Sequence, residues 1–317
     1  YILMNNLDFN DADCYVNPSE IIDANGDGTS SAIKAELTEG IGWDPIGDGG
    51  NIFAGYFNGN GKTISNLRIN RSNEDCIGLF GIVESNVTIT NLGLLNVNFK
   101  GKSYVGGIAG YNSGTITNSY STGTIEAIVI SAGGIVGKNS GTIENSYSAG
   151  EITAKSKVGG IAGENTSGTI TNSYSTGDIT AEQSVAGGIA GENTSGTITN
   201  SCAYNNKIEG NYYANRVVGY NGSGTLTNNY AKDGMIVQEG SVAKTGQSDS
   251  GSAWGEDIDT MKDKDIEPLS NWEFDSDDNN DGAYWKIESG AYRPVIYINI
   301  NGTFEKLGDD NSIDTIP

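Results

Sequence analysis

In TITNSYS, residues 115–121, Ile116, Asn118 and Tyr120 fall at every second position, with Thr and Ser between them. Period-two alternation with β-branched residues on one face predicts a short β-strand. The pattern Thr-(Ile/Leu)-x-Asn begins at Thr63, Thr88, Thr115, Thr142, Thr169, Thr197 and Thr225, so successive starts differ by 25, 27, 27, 27, 28 and 28 residues. A second register runs beside it: IGLFG at 77–81, VGGIAG at 105–110, AGGIVG at 132–137, VGGIAG at 158–163 and AGGIAG at 186–191. Four of these are followed by x-Asn, at Asn112, Asn139, Asn165 and Asn193, and VVGYN at 217–221 keeps Asn221. Ser, Thr, Gly and Asn at this density oppose a helix, and the Ala/Leu-rich helices of helical solenoids with similar periods are absent.

A strand that recurs every ~27 residues cannot bury a face alone, but stacked coils can, each strand pairing with its copies above and below. The expected architecture is all-β: a right-handed parallel β-helix of about seven coils, a rod roughly 30–35 Å long at the strand spacing. Like residues then lie over like. Asn66, Asn91, Asn118, Asn145, Asn172, Asn200 and Asn228 are expected to form one inward ladder with amides bonded along the stack. Tyr120, Tyr147, Tyr174 and Tyr230 form another, with Cys202 as a small buried residue in the missing rung. The glycine pairs suit tight corners or close backbone approach. Residues 1–60 read as an N-terminal capping segment, 61–230 as the coils, 231–270 as an irregular loop with at most a short helix, and 271–317 as a C-terminal cap.

Composition narrows the chemistry. The 317 residues hold no histidine, which removes the commonest general base and zinc ligand. A formal charge of −22, from 18 Lys+Arg against 40 Asp+Glu, repels nucleic acid and anionic membrane. No apolar run approaches a membrane span, so no membrane insertion is expected in this segment. Three cysteines allow at most one internal disulfide, and Cys14 and Cys76 either pair or stay free. Tyr1 opens an already patterned segment, YILMNNLDF, so the chain is read as a mature or excised piece of a longer protein.

GLFG at 78–81, GIAG at 107–110, GIVG at 134–137, and GIAG at 160–163 and 188–191 resemble the GLUG motif of repeats in bacterial surface and secreted proteins. The lead-in FAGYFNGNGKTISNL (53–67) and the closing NWEF (271–274), YWKI (284–287) and YRPVIY (292–297) are similar to segments that flank such repeats. The departure lies at 205–235, where spacing lengthens and VVGYN replaces the glycine motif. The resemblance implies an extracellular or cell-surface β-helical region without catalytic residues: an adhesin stalk, surface-layer component or filament subunit. Its expected partners are a cell-surface glycan, a protein ligand, or copies of itself.

Three chemistries remain as candidates. DDNNDGAYWKIE, 277–288, fits a calcium-loop pattern, with Asp277, Asn279, Asp281, Ala283 and Glu288 as candidate ligands for Ca2+. DANGDG, 23–28, is a weaker version that offers Asp23, Asn25 and Asp27, with Lys34 where the closing acid belongs. The outward pairs Thr115/Thr117, Thr169/Thr171 and Thr197/Thr199 form a flat array suited to a ligand or, alternatively, to ice, although Glu144 interrupts it. A glycan-active enzyme is the other alternative, Glu164 and Glu192 stacking in a mixed column with Tyr111, Lys138 and Tyr220. Six Asn-x-Ser/Thr sequons, Asn165 and Asn193 among them, are expected from composition alone.

Overall fold

A computed structural model describes residues 1–9 and 40–244, Ala253, and the strands Glu256–Ile258, Ala283–Lys286, Val295–Ile300 and Thr303–Lys306. The coils form a parallel β-solenoid of about seven turns, and the described residues contain no helix. One coil runs Thr169–Thr171, Tyr174–Ser175, Ile179–Ala181, Val185–Gly187 and Ala190–Asn193 before Thr197–Thr199 begins the next. The first strand belongs to a seven-stranded sheet (the Thr face) and the last to a six-stranded sheet (the Gly face). The strands between them belong to a broad sheet. Seven stacked strands span about 29 Å.

Repeat residues stack in register. Ile89, Ile116, Ile143, Ile170 and Ile198 lie over one another along the Thr face, all fully buried. Ile125, Ile152, Ile179 and Ile208 do the same in the broad sheet. These columns, with Ile108, Ile135, Ile161 and Ile189, form one continuous core. The expected tyrosine ladder is present: ring centroids of Tyr120 and Tyr147 lie 4.8 Å apart, and those of Tyr147 and Tyr174 4.9 Å. Cys202 takes the next rung, paired with Tyr174 on one side and Tyr230 on the other.

The asparagine of Thr-Ile-Thr-Asn does not point inward as expected. Asn91, Asn118, Asn145, Asn172, Asn200 and Asn228 all have φ between 47° and 56°. That left-handed conformation suits Asn, whose short polar side chain lowers its cost. The turn breaks the alternation, so Ser119 and Tyr120 are both buried while Asn118 sits half-buried at a corner. The serine closes the corner. Ser119 Oγ donates to the Thr117 carbonyl at 2.8 Å, and the Ser119 N–H donates to Ser146 Oγ in the next coil at 3.3 Å. Ser146 and Ser173 repeat both bonds.

Amide-to-amide bonds at this corner run from Asn118 to Asn91 at 3.3 Å and from Asn91 to Asn58 at 3.1 Å. The expected ladder is interrupted at Asn172, whose Oδ1 accepts no hydrogen bond, and backbone bonds hold the turn from coil to coil. The N–H groups of Asn118, Asn145, Asn172 and Asn200 donate to the carbonyls of Glu144, Thr171, Thr199 and Thr227, at 3.1–3.3 Å.

Asn58, which lies opposite Thr90, accepts the Asn91 amide bond expected to go to Asn66. Phe57–Asn58 pairs with Ile89–Thr90 on the Thr face, whereas Thr63–Ser65 pairs with Gly93–Leu95 in the broad sheet. Asn66 therefore lies beside Asn96, which donates to it at 2.6 Å. The tetrapeptide TISN fits either corner, because Asn66 and Asn96 are both left-handed, at 60° and 52°. The short 25-residue step was its mark.

Residues 1–9 extend the stack: Ile2 bridges to Asn58, and Leu7–Asp8 pairs parallel with Ile64–Ser65. At 205–235 the spacing lengthens but the register holds, Val218, Tyr220 and Asn221 lying over Ala190, Glu192 and Asn193. At the far end Ile236–Glu239 folds back antiparallel against Val242–Ala243, ending that limb of parallel pairing. The segment YRPVIYINI contributes Val295–Ile300, the middle strand of an antiparallel sheet with Ala283–Lys286 and Thr303–Lys306.

Candidate functional site

A buried amide ladder underlies the Gly face. Asn112 donates to Asn139 Oδ1, Asn139 to Asn165 and Asn165 to Asn193, each at 2.9 Å, and Asn193 donates to Asn221 at 2.8 Å. Each Nδ2 also donates to a glycine carbonyl in its own coil: Gly114, Gly141, Gly168, Gly196 and Gly224. The first four asparagines are fully buried. Asn165 and Asn193 spend both amide protons inside, so neither sequon presents a nitrogen for glycosylation. The signal for this ladder was the x-Asn after each glycine motif.

Two outer surfaces carry the candidate chemistry. On the Thr face, Thr115/Thr117, Thr169/Thr171, Thr197/Thr199 and Thr225/Thr227 point outward in register. Glu144 lies between Thr117 and Thr171 in the same column. The backbone bonding is continuous, so the hydroxyl rows are held at the strand spacing.

The second surface follows from the glycines. Strands on either side of the Gly-Gly corner approach without side chains between them. A Cβ on Gly191 would meet the backbone of Val158, and one on Gly159 the Ala162 carbonyl oxygen. Outward residues of both strands then touch across the seam. Lys138 Nζ lies 5.6 Å from the ring centroids of both Tyr104 and Tyr111. Lys157 Nζ bridges Glu164 and Glu192, at 3.0 Å each. Tyr213 and Tyr220 pair at 5.5 Å. The column Tyr111, Lys138, Glu164, Glu192, Tyr220 was legible in the sequence; its partners Tyr104, Lys157 and Tyr213 were not. They lie on another strand, two residues before the corner glycine or its replacement Asn215.

Electrostatics in the seam is set by its ion triad. Burial alone disfavours the Lys157 ammonium, but bonds to Glu164 and Glu192 outweigh it and hold its pKa above the ordinary lysine value. Glu164 is only 7% exposed, so Lys157 is its ion-pair partner within a nearly buried site. Cys76, half-buried beside the seam, has its thiol pKa raised by burial and then by Asp75.

Cys202 is fully buried, and desolvation pushes its pKa up to about 12. The thiolate is the reactive form, so a thiol reagent at about pH 8 should label Cys202 only as the coils open. The folded value lies above the unfolded one, near 9, so the unfolded state loses the proton first. The thiol's contribution to stability is complete below about pH 9 and falls as pH rises toward about 12. Comparing urea midpoints of wild type and Cys202→Ala across that window checks the sign; equal slopes would refute it.

Asp277, Asn279, Asp281, Glu288, Asp23, Asn25, Asp27 and Cys14 lie outside the described residues, and of Ala283 only the strand backbone is described. Among the described residues no three His, Cys, Asp or Glu side chains gather as a metal site.

The model of the GLUG motif matches residues 101–126 and 156–180, each spanning a Gly-Gly corner or its approach and the strands beside it. Over 99 residues, 30% of this chain, the sequence is 38% identical to halomucin of Haloquadratum walsbyi. Over 82 residues, 25% of this chain, it is 43% identical to a protein named "Putative Gly-rich membrane protein" of Evansella cellulosilytica. The matches span 1% and 10% of those two proteins. A solved structure titled as a "putative immunoglobulin A1 protease" from Bacteroides ovatus superposes with a TM-score of 0.65. It covers 98% of this chain and 86% of its own at 22% identity, a likeness of fold.

Proposed function

Starting from a GLUG-repeat chain folded as a parallel β-solenoid, we propose that it is a non-enzymatic extracellular rod that mediates attachment at a cell surface, with the Thr face as its contact surface. The observation that carries this reading is repetition. The same outward Thr pair recurs at the same register on Thr115/Thr117, Thr169/Thr171, Thr197/Thr199 and Thr225/Thr227. Catalysis needs one arrangement of unlike groups, whereas a repeated pair makes an extended surface of many weak, equivalent contacts. The relative named as a membrane protein supports a surface setting.

Beads coated with the chain should be retained on surfaces bearing cell-wall material, without turnover of polysaccharide or protein substrates. Replacing Thr171 and Thr197 by lysine should reduce retention severalfold while leaving the melting temperature within a few degrees, since both side chains face outward and neither lysine lies directly opposite the other. Accumulating cleavage products, or full retention by the lysine variant, would refute the proposal. The regular Thr rows favour one second reading, adsorption to ice, which unaltered ice-crystal growth in the presence of the protein would dispose of.

A further inference from the structure

We infer that the seam beside the Gly-Gly corners is a binding site, separate from the Thr face, for a neutral glycan chain lying along the solenoid axis. The first ground is the tyrosines at one end. Tyr212, Tyr213 and Tyr220 are 65%, 50% and 45% exposed, while the tyrosines of the internal ladder are buried. Tyr213 and Tyr220 stand side by side at 5.5 Å, tilted by 36°. They occupy the coil directly above Val185 and Glu192. Exposed ring faces offer apolar area with polar rims, which suits a pyranose face ringed by hydroxyls.

The second ground is what fills the seam between the rings. Lys138 forms no ion pair with a carboxylate among the described residues; its ammonium rests over Tyr104 and Tyr111 and keeps N–H donors to offer. Two coils on, Glu192 presents carboxylate oxygens that already accept from Thr194 and Lys157 and have further lone pairs. A row of donor, acceptor and aromatic face matches a polyhydroxylated chain. The two tyrosine pairs are four coils apart, about 19 Å, a distance that a short oligosaccharide spans.

The third ground excludes a polyanion. The seam mixes both signs, and a chain of net −22 repels uronate or phosphate polymers at range.

Calorimetric titration with cello-, xylo-, manno- and chito-oligosaccharides, from disaccharide to hexasaccharide, tests the site. A uronate oligomer and an unfolded peptide serve as competing classes. At least one neutral series should bind, with affinity rising with length. The double variant Tyr213→Ala/Tyr220→Ala should weaken it by about tenfold or more with an unchanged melting curve, and Lys138→Met should weaken it without affecting folding. The Thr-face lysine variant should bind the oligosaccharide as wild type does, which separates this site from the attachment surface. No binding by any neutral series, preference for the uronate or the peptide, or unchanged affinity in the tyrosine double variant would overturn the assignment. Retention on surfaces would then still be decided by the Thr-face variant alone.

Discussion

Gly159→Val is expected to disrupt the central coils, lowering stability by about 4 kcal/mol, near the top of the range for single substitutions. Gly159 sits at the corner between Lys157–Gly159 and Ala162–Asn165. Its missing side chain leaves room for the Ala162 carbonyl on its own coil and the Gly191 N–H of the next. A Cβ there meets backbone on both sides, and backbone bonded into two sheets cannot step aside. Valine adds two further methyls at the same point. Gly49→Ala is the contrast, because a Cβ at Gly49 meets nothing within 4 Å. Urea unfolding of the two variants would decide the matter. A Gly159→Val midpoint close to that of Gly49→Ala would mean that the corners are loose and the seam is not built by backbone contact.

Asn165→Leu should cost nearly as much by a different route. Leucine keeps the branched skeleton but is larger and deletes one rung of the Gly-face ladder. The Asn193 oxygen and the Gly168 carbonyl lose their donor, and Asn139 loses one of two acceptors. Each buried polar group left unpaired costs about 1–3 kcal/mol, so a loss of about 4 kcal/mol is expected. Asn221→Leu gives the internal scale. Asn221 ends the described ladder, half-buried, and donates only to Gly224, so its loss should cost less than half as much. Hydrogen exchange of the Gly141 and Gly168 turns would show where the damage falls. Equal effects of the two variants would mean that the amides act singly rather than as a chain.

The fold was legible because its strongest signal is periodic. Ile116, Ile143, Ile170 and Ile198 recur at the coil length, and stacked coils bury them in one column. The tyrosine column with its cysteine gap followed from the same alignment. What could not be read was the backbone angle at each asparagine. A strand pattern and a strand ending in a left-handed turn look alike in letters, so the ladder was placed on Asn118 and its copies rather than on Asn112 and its copies. The first coil was misplaced for a related reason, since TISN satisfies both corners. For the candidate site, one column of the seam was visible and the other was not, because contact across a Gly-Gly corner depends on how closely two backbones approach.

In-register stacking has a further consequence for how such a chain changes length. Residues 159–173 and 187–201 are identical letter for letter, GGIAGENTSGTITNS, and occupy the same places in consecutive coils. Each coil presents the same ledges and the same bonding edge above as below. Copying one whole period into the gene therefore lengthens the rod without creating a mismatched junction, whereas adding half a period would set glycines against isoleucines. Extra residues are tolerated only where coils bulge outward, as the 27- and 28-residue periods show by sharing one register on every sheet. The length of the rod can thus be varied in steps of one coil.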